Sequence, residues 1–297
     1  MTASVTLPDG RVLAYEEYGV PTGFPVLSFH GGLSSRLDAA PAHEAAVATG
    51  VRLVAPDRPG MGLSTYQPGR RLLDWPADVA HLANALGIER FAVMGWSAGG
   101  PYAAVCAAKM SGSVTAAALL SSAVPLDQYG TTRGLSVEDR TLLFLSQHSP
   151  WLASTLMKVS IVNASNARLF RAILRSFPPA DRTVLTEWGP PDHALAFVRE
   201  AMRQGTEGCV QDYRIFGEPW GFDLEEIRTP VDIWEGAEDN TGPPAYRAFL
   251  KQHIPQATVN LVPDEGHLSL LPHRAAAIFS LLLGDHNAES AAQWRVG

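Results

Sequence analysis

The sequence predicts an α/β protein: a mostly parallel, doubly wound sheet of about eight strands, with a helical lid inserted after the sixth. Three observations predict it. Short β-like runs alternate with helical patterns over most of the chain, which places helices on both faces of one sheet. The first two runs are joined by a tight turn, which adds an antiparallel edge. Between residues 124 and 221 the alternation stops, leaving helical patterns and no convincing strand.

The elements follow in order. A hairpin opens the chain: residues 4–7, the turn Pro8-Asp9-Gly10, then residues 12–18. Runs at 25–29, 52–55, 91–94 and 115–120 continue the sheet, and 231–234 and 258–262 complete it. Helices are expected over 39–49, stopping at Gly50, over 75–86, stopping at Gly87, and over 101–110. Glycine just past the last periodic residue is a usual helix stop. Helices at 244–253 and 273–283 close the chain. Within the gap, helical patterns at 138–147, 152–159, 167–175 and 194–203 are punctuated by Pro178-Pro179 and Pro190-Pro191. The chain thus divides into a core domain, 1–123 and 222–297, and a lid, 124–221. Such a lid would roof the carboxyl ends of the strands, where sheets of this kind bind ligands.

Composition narrows the function classes. Hydrophobic residues make up 46% and charged residues 18%, a globular balance. The net charge of −7 comes with no basic run, which argues against nucleic acid as a partner. No apolar stretch approaches the roughly 20 residues of a membrane span. Residues 1–5 lack the regions of a signal peptide. Two distant cysteines, Cys106 and Cys209, read as reduced, half-buried thiols. These features predict a cytoplasmic protein without disulfides.

One pentapeptide carries chemistry. Gly95-Trp96-Ser97-Ala98-Gly99 follows an apolar strand and precedes a helix of small residues, the context in which G-x-S-x-G is a nucleophile elbow. A serine hydroxyl needs a base in hydrogen-bond reach, and the base needs an orienting acid. His267, in the turn Asp264-Glu265-Gly266-His267 after the last strand, is the base candidate among nine histidines. The acid is expected on a loop between them: Asp239 after the run at 231–234, with Glu238 adjacent and Asp127 in reserve. Two N–H donors must face the developing oxyanion. One is assigned to Ala98 and the other to Gly32, with Leu33 as its neighbour, while His30 and Gly31 support that loop. No histidine pair has metal-ligand spacing, so no metal is expected.

In these motifs the chain resembles the α/β-hydrolase fold family, of the capped, single-domain type. His30-Gly31-Gly32 is similar to that family's oxyanion loop, and residues 57–64, Asp57-Arg58-Pro59-Gly60-Met61-Gly62-Leu63-Ser64, to its D-x-P-G-x-G-x-S turn. Gly236 to Asp239 resembles the acid loop and Gly266-His267 the histidine turn. The resemblance implies a serine hydrolase acting on an ester, lactone, thioester or amide of a small molecule, with no cofactor. Serine at the elbow argues against the dehalogenase and epoxide hydrolase relatives. Two alternatives stand beside it: another reaction on the same fold, such as carbon–carbon bond hydrolysis, lyase or tailoring chemistry, and a non-catalytic receptor. Trp151, Phe170, Phe177, Trp188, Phe197, Tyr213, Phe216 and Trp220 offer aromatic surface in the lid, which implies a largely apolar pocket. Glu187, Glu200, Glu207 and Asp212 would suit a substrate amine if they faced that pocket. The sequence assigns no oligomeric state.

Overall fold

β1 (Ala3–Thr6) pairs antiparallel with β2 (Val12–Gly19), which pairs antiparallel with β4 (Val51–Pro56) in the computed structural model of residues 2–128, 132 and 134–284. β3 (Phe24–Phe29), β5 (Phe91–Trp96), β6 (Val114–Leu120), β7 (Val231–Gly236) and β8 (Ala257–Val262) continue in parallel, giving the order β1-β2-β4-β3-β5-β6-β7-β8. The inner strands read as unbroken apolar runs because both faces are covered. Along β5, Phe91 and Val93 enter one core while Ala92 and Met94 enter the other. The chain passes from β3 to β4 on one side and returns to β5 on the other. The crevice between β3 and β5 is therefore the switch point where such sheets place ligands.

α1 (His43–Thr49), α2 (Trp75–Ala85) and α3 (Gly100–Lys109) connect the strands up to β6. Between β6 and β7 the described residues form seven α-helices: α4 (Val137–His148), α5 (Pro150–Ala164), α6 (Ala167–Leu174), α7 (Pro179–Glu187), α8 (Pro191–Ala194), α9 (Ala196–Ala201) and α10 (Glu207–Phe216). α11 (Pro244–His253) precedes β8, and α12 (Leu270–Leu283) follows it. α2, α3 and α11 supply Leu82, Tyr102, Val105 and Leu250 to the first core; α1 and α12 supply Ala46, Ile278 and Phe279 to the second. No described helix is long and apolar enough to cross a membrane. Residues 285–297, expected to belong to the core, lie outside the described residues together with His286.

The expected strands are all present within a residue or two, and no strand interrupts 124–221 among the described residues. Two expectations are corrected. The helix expected over 39–49 splits, because Pro41 lies in a tighter turn over Arg36–Ala42 and only His43–Thr49 is α-helical. The paired prolines fall between successive helices, with Pro179 and Pro191 in first-turn positions, where the missing N–H costs nothing. Helices α7 and α10 were not anticipated from the sequence pattern. Cys106 and Cys209 are free thiols, fully buried rather than half-buried.

Candidate active site

Ser97 follows β5 with φ of +54°, a left-handed backbone that costs a non-glycine residue about 1 kcal/mol or more. The bend is tight enough to exclude side chains on either side of it. A Cβ on Gly95 would fall 2.2 Å from the Gly99 carbonyl oxygen, and one on Gly99 would fall 1.9 Å from that of Phe29. The reward is a serine side chain held clear of strand and helix, half-buried on the wall of a cavity of about 440 Å³. That volume suits a small organic ligand.

His267 lines the same cavity. Its Nδ1 bonds Asp239 Oδ2 at 2.8 Å, with both side chains buried. The loops that carry them are stitched together by Glu238 N–H to the Glu265 carbonyl at 2.9 Å and Ala237 N–H to the Val262 carbonyl at 2.9 Å. Asp239 also accepts from the amides of Thr241 at 2.8 Å and Gly242 at 3.1 Å. Burial raises the Asp239 carboxyl, but the His267 imidazole and these hydrogen bonds outweigh it and hold the group down at about 2. Burial likewise works against a charged His267, yet the Asp239 charge leaves its pKa above the ordinary histidine value. A base raised in this way takes a proton readily. Glu238 is exposed and Asp127 is exposed, so neither replaces Asp239 beside the imidazole. Ser97 Oγ makes no hydrogen bond to His267 here, and such bonds commonly tighten only around a bound substrate.

Gly32, Leu33 and Ala98 also line the cavity. The Gly32 amide donates to no other group of the described residues, and a Cβ there would sit 3.4 Å from Ala98 Cβ. The preceding loop is braced. His30 Nδ1–H donates to the Gly31 carbonyl at 3.0 Å and Nε2 accepts from Arg58 N–H at 3.1 Å, which fixes a neutral tautomer. Burial and the neighbouring Arg58 push its pKa well below the ordinary value. Asp38 accepts from Gly31 N–H at 2.9 Å and Ser34 Oγ at 2.8 Å.

Sequence reasoning missed the residues that fasten this frame. Arg58 donates to the carbonyls of His30 and Gly31, at 2.8 Å for the latter, and to Asp212 of α10 at 2.9 and 2.7 Å. Arg70 pairs with the same carboxylate, and Tyr102 donates to it at 2.7 Å. Burial raises Asp212, but Arg58 and Arg70 prevail and hold it at about 2. Asp181 of α7 accepts three amides of the His267 loop. No local pattern signals either aspartate. Of the acids considered for a substrate amine, none lines the cavity: Asp212 faces the arginines, Glu200 pairs with Arg36 at 2.8 Å, and Glu187 and Glu207 are exposed. Glu138 and Asp139 do line it. Among the aromatics, Phe177, Phe197, Tyr213 and Phe216 reach the cavity, whereas Trp151 is 69% exposed and Phe170, Trp188 and Trp220 pack elsewhere.

Comparison with known proteins agrees with this fold. The profile described as alpha/beta hydrolase fold matches residues 25–273. An uncharacterized hydrolase, YcgS of Bacillus subtilis, is 28% identical over 277 residues, 93% of this chain and 95% of its own. Among solved structures, a bromoperoxidase from Bacillus anthracis superimposes with a TM-score of 0.72 at 20% identity, covering 96% of this chain and 100% of that one. A thermophilic esterase from Thermogutta terrifontis gives a TM-score of 0.67 at 22% identity, covering 95% and 98%.

Proposed function

The chain belongs to the α/β-hydrolase fold family, and from that premise we propose that it is a serine hydrolase. It cleaves an ester, lactone, thioester or amide bond of a small, largely apolar substrate through an acyl-enzyme on Ser97. One observation carries the reading: a strained serine and an Asp239-bound histidine open onto the same cavity. His267 takes the Ser97 proton as Oγ attacks the carbonyl carbon, and Asp239 holds the imidazole in the required tautomer. The amides of Ala98 and Gly32 hold the oxyanion, each worth about 3–4 kcal/mol of barrier. His267 then gives its proton to the leaving group. A water, deprotonated by His267 in turn, hydrolyses the acyl-enzyme and frees Ser97.

The cavity wall supports an apolar acyl or alcohol group. Leu126, Leu135, Leu142, Phe177, Phe197 and Phe216 line it, with no lysine or arginine among the described lining residues. On this reading residues 124–221 are the lid over a core of 1–123 and 222–297. Supporting this division, the described segment is wholly helical where it is regular, and it contributes most of the apolar lining.

The test is Ser97→Ala assayed on a nitrophenyl ester of a short fatty acid. The variant is expected to stay folded and to lose about 10⁴-fold or more in kcat/KM. Unchanged turnover overturns the reading. A fluorophosphonate probe separates an enzyme from a receptor, since only an activated Ser97 is labelled quickly.

A further inference from the structure

The segment Gly266 to Ser269 is held by a group from outside the core domain. Asp181, completely buried on α7, takes the His267 amide on Oδ2 at 3.0 Å and the Leu268 and Ser269 amides on Oδ1 at 3.0 and 2.9 Å. None of the three amides donates elsewhere. They lie in the turn that leads into α12, up to its N-cap Ser269, so a carboxylate from another element holds the approach to this helix at the point where the histidine leaves it. No arginine, lysine or histidine side chain pairs with Asp181 among the described residues; backbone amides alone hold it. The fit is close, since a Cβ on Gly266 would lie 2.4 Å from Asp181 Oδ1.

Resting on the serine-hydrolase reading, we infer that Asp181 is a positioning residue that fixes His267 for proton transfer, so the helical insertion supplies part of the proton-transfer frame. The same stretch of chain also meets the ligand space. Phe177, two residues before α7, lines the cavity, and so does Leu268, whose amide Asp181 holds. The cavity wall and the support of the histidine are therefore one continuous piece of chain.

The charged groups around His267 define what a test can read. Asp239 bonds its Nδ1, Asp181 bonds its amide, and Asp139 of α4 adds a more distant negative charge. Glu235 on β7 stands nearby, paired with Arg247 at 2.8 Å. Burial disfavours the imidazolium; Asp239 first, and Asp181 after it, raise it. Removing the Asp181 charge therefore lowers the pH at which His267 loses its proton, an effect a purely structural contact would not produce.

The experiment measures the rate at which a fluorophosphonate probe labels Ser97 in the full chain, against pH, in wild type, Asp181→Asn and Gly266→Ala. Urea unfolding runs alongside to give the folded fraction. Asp181→Asn keeps an acceptor for Leu268 and Ser269 but turns an amide group toward the His267 N–H. Its labelling rate per folded molecule is expected to fall about 10- to 100-fold, the usual effect of ångström-scale misplacement of a reacting group. The acid limb of its profile is expected at lower pH. Gly266→Ala pushes the loop off Asp181 with the charge retained, so it is expected to slow labelling and keep the wild-type limb. It also decides the matter if the Asn variant does not fold. Wild-type rate and limb per folded molecule in the variants overturn the role of Asp181. Failure of wild-type Ser97 to react at all overturns the serine-hydrolase reading, and this inference with it.

Discussion

The helices between β6 and β7 carry two buried carboxylates, Asp212 and Asp181, that hold two cavity-lining loops by different means. Asp212 grips the His30–Gly31 loop through two guanidinium groups, Arg58 and Arg70, and the Tyr102 hydroxyl. Asp181 grips the histidine side through three neutral amides. A buried charge pair is an all-or-none anchor, because removing one partner strands the other's charge away from water. A carboxylate bound by amides can lose its charge and keep part of its bonding. On the proposed mechanism, docking strength therefore resides with the His30–Gly31 loop, and fine control of a reacting group with the His267 loop.

The largest effect sets the scale for both. Asp239→Asn is expected to leave the fold intact and reduce kcat/KM about 10⁴-fold, since the imidazole loses both its tautomer and its stabilising charge. The acid limb of the remaining activity is expected to move to lower pH, because the charge that raises His267 is gone. A stopped-assay pH series checks both. Next is Asp212→Asn. Arg58 and Arg70 are left without a counter-ion, and a loss of about 3–5 kcal/mol in urea unfolding is expected. The sign with pH follows from the depressed carboxyl. Its contribution to stability is fully present above the ordinary aspartate value of 3.8 and is lost as pH falls toward about 2. The variant is expected to show a shallower fall in stability across that window. Should Asp181→Asn cost as much stability as Asp212→Asn, the contrast between anchor and positioner breaks.

The contrast also marks what the sequence could disclose. The sheet was legible because each strand is a short apolar run with its own turn signals, and β3 to β8 fall where those runs predict. Ser97 and Gly32 sit among small residues just after strands, and His267 in the turn that follows the last strand, a local pattern. The structure sets Ser97 and His267 on one cavity and brings Asp239, rather than Glu238, to the imidazole. Asp212 and Asp181 carry no such pattern. Arg58 and Asp212 are 154 residues apart, and each looks locally like an ordinary charged side chain. Asp181, two residues into a helix, reads as a routine first-turn acid that favours the helix dipole. Its partners are the amides of a different helix. The aromatic residues of the insertion were visible as a set, but only packing divides Phe177 and Phe197 on the cavity from Trp151 on the surface.

A specificity effect of intermediate size sharpens the histidine side. Phe177→Ala removes an apolar wall beside α7, so KM for a medium-chain nitrophenyl ester is expected to rise about 10-fold or more, a hydrophobic contact being worth about 1–3 kcal/mol. If kcat falls as well while the KM for a two-carbon ester is unchanged, the wall and the Asp181 support act as one unit. If only KM moves, they act separately.

The smallest effect is the most exacting control. Glu238 adjoins Asp239 on the same turn, yet its side chain is exposed and only its amide is engaged, donating to the Glu265 carbonyl at 2.9 Å. Glu238→Gln keeps that backbone bond, so stability is expected within about 0.5 kcal/mol of wild type. By the same reasoning kcat/KM is expected to stay within about twofold, an energy difference below about 0.5 kcal/mol. A surface carboxylate in water is too well screened to hold an imidazolium in the way buried Asp239 does. A steep loss in Glu238→Gln, with Asp239→Asn active, would move the orienting acid one residue along the loop. His267 would then have to leave the position in which Asp181 holds its amide, and the division of labour between the two insertion carboxylates would fail with it.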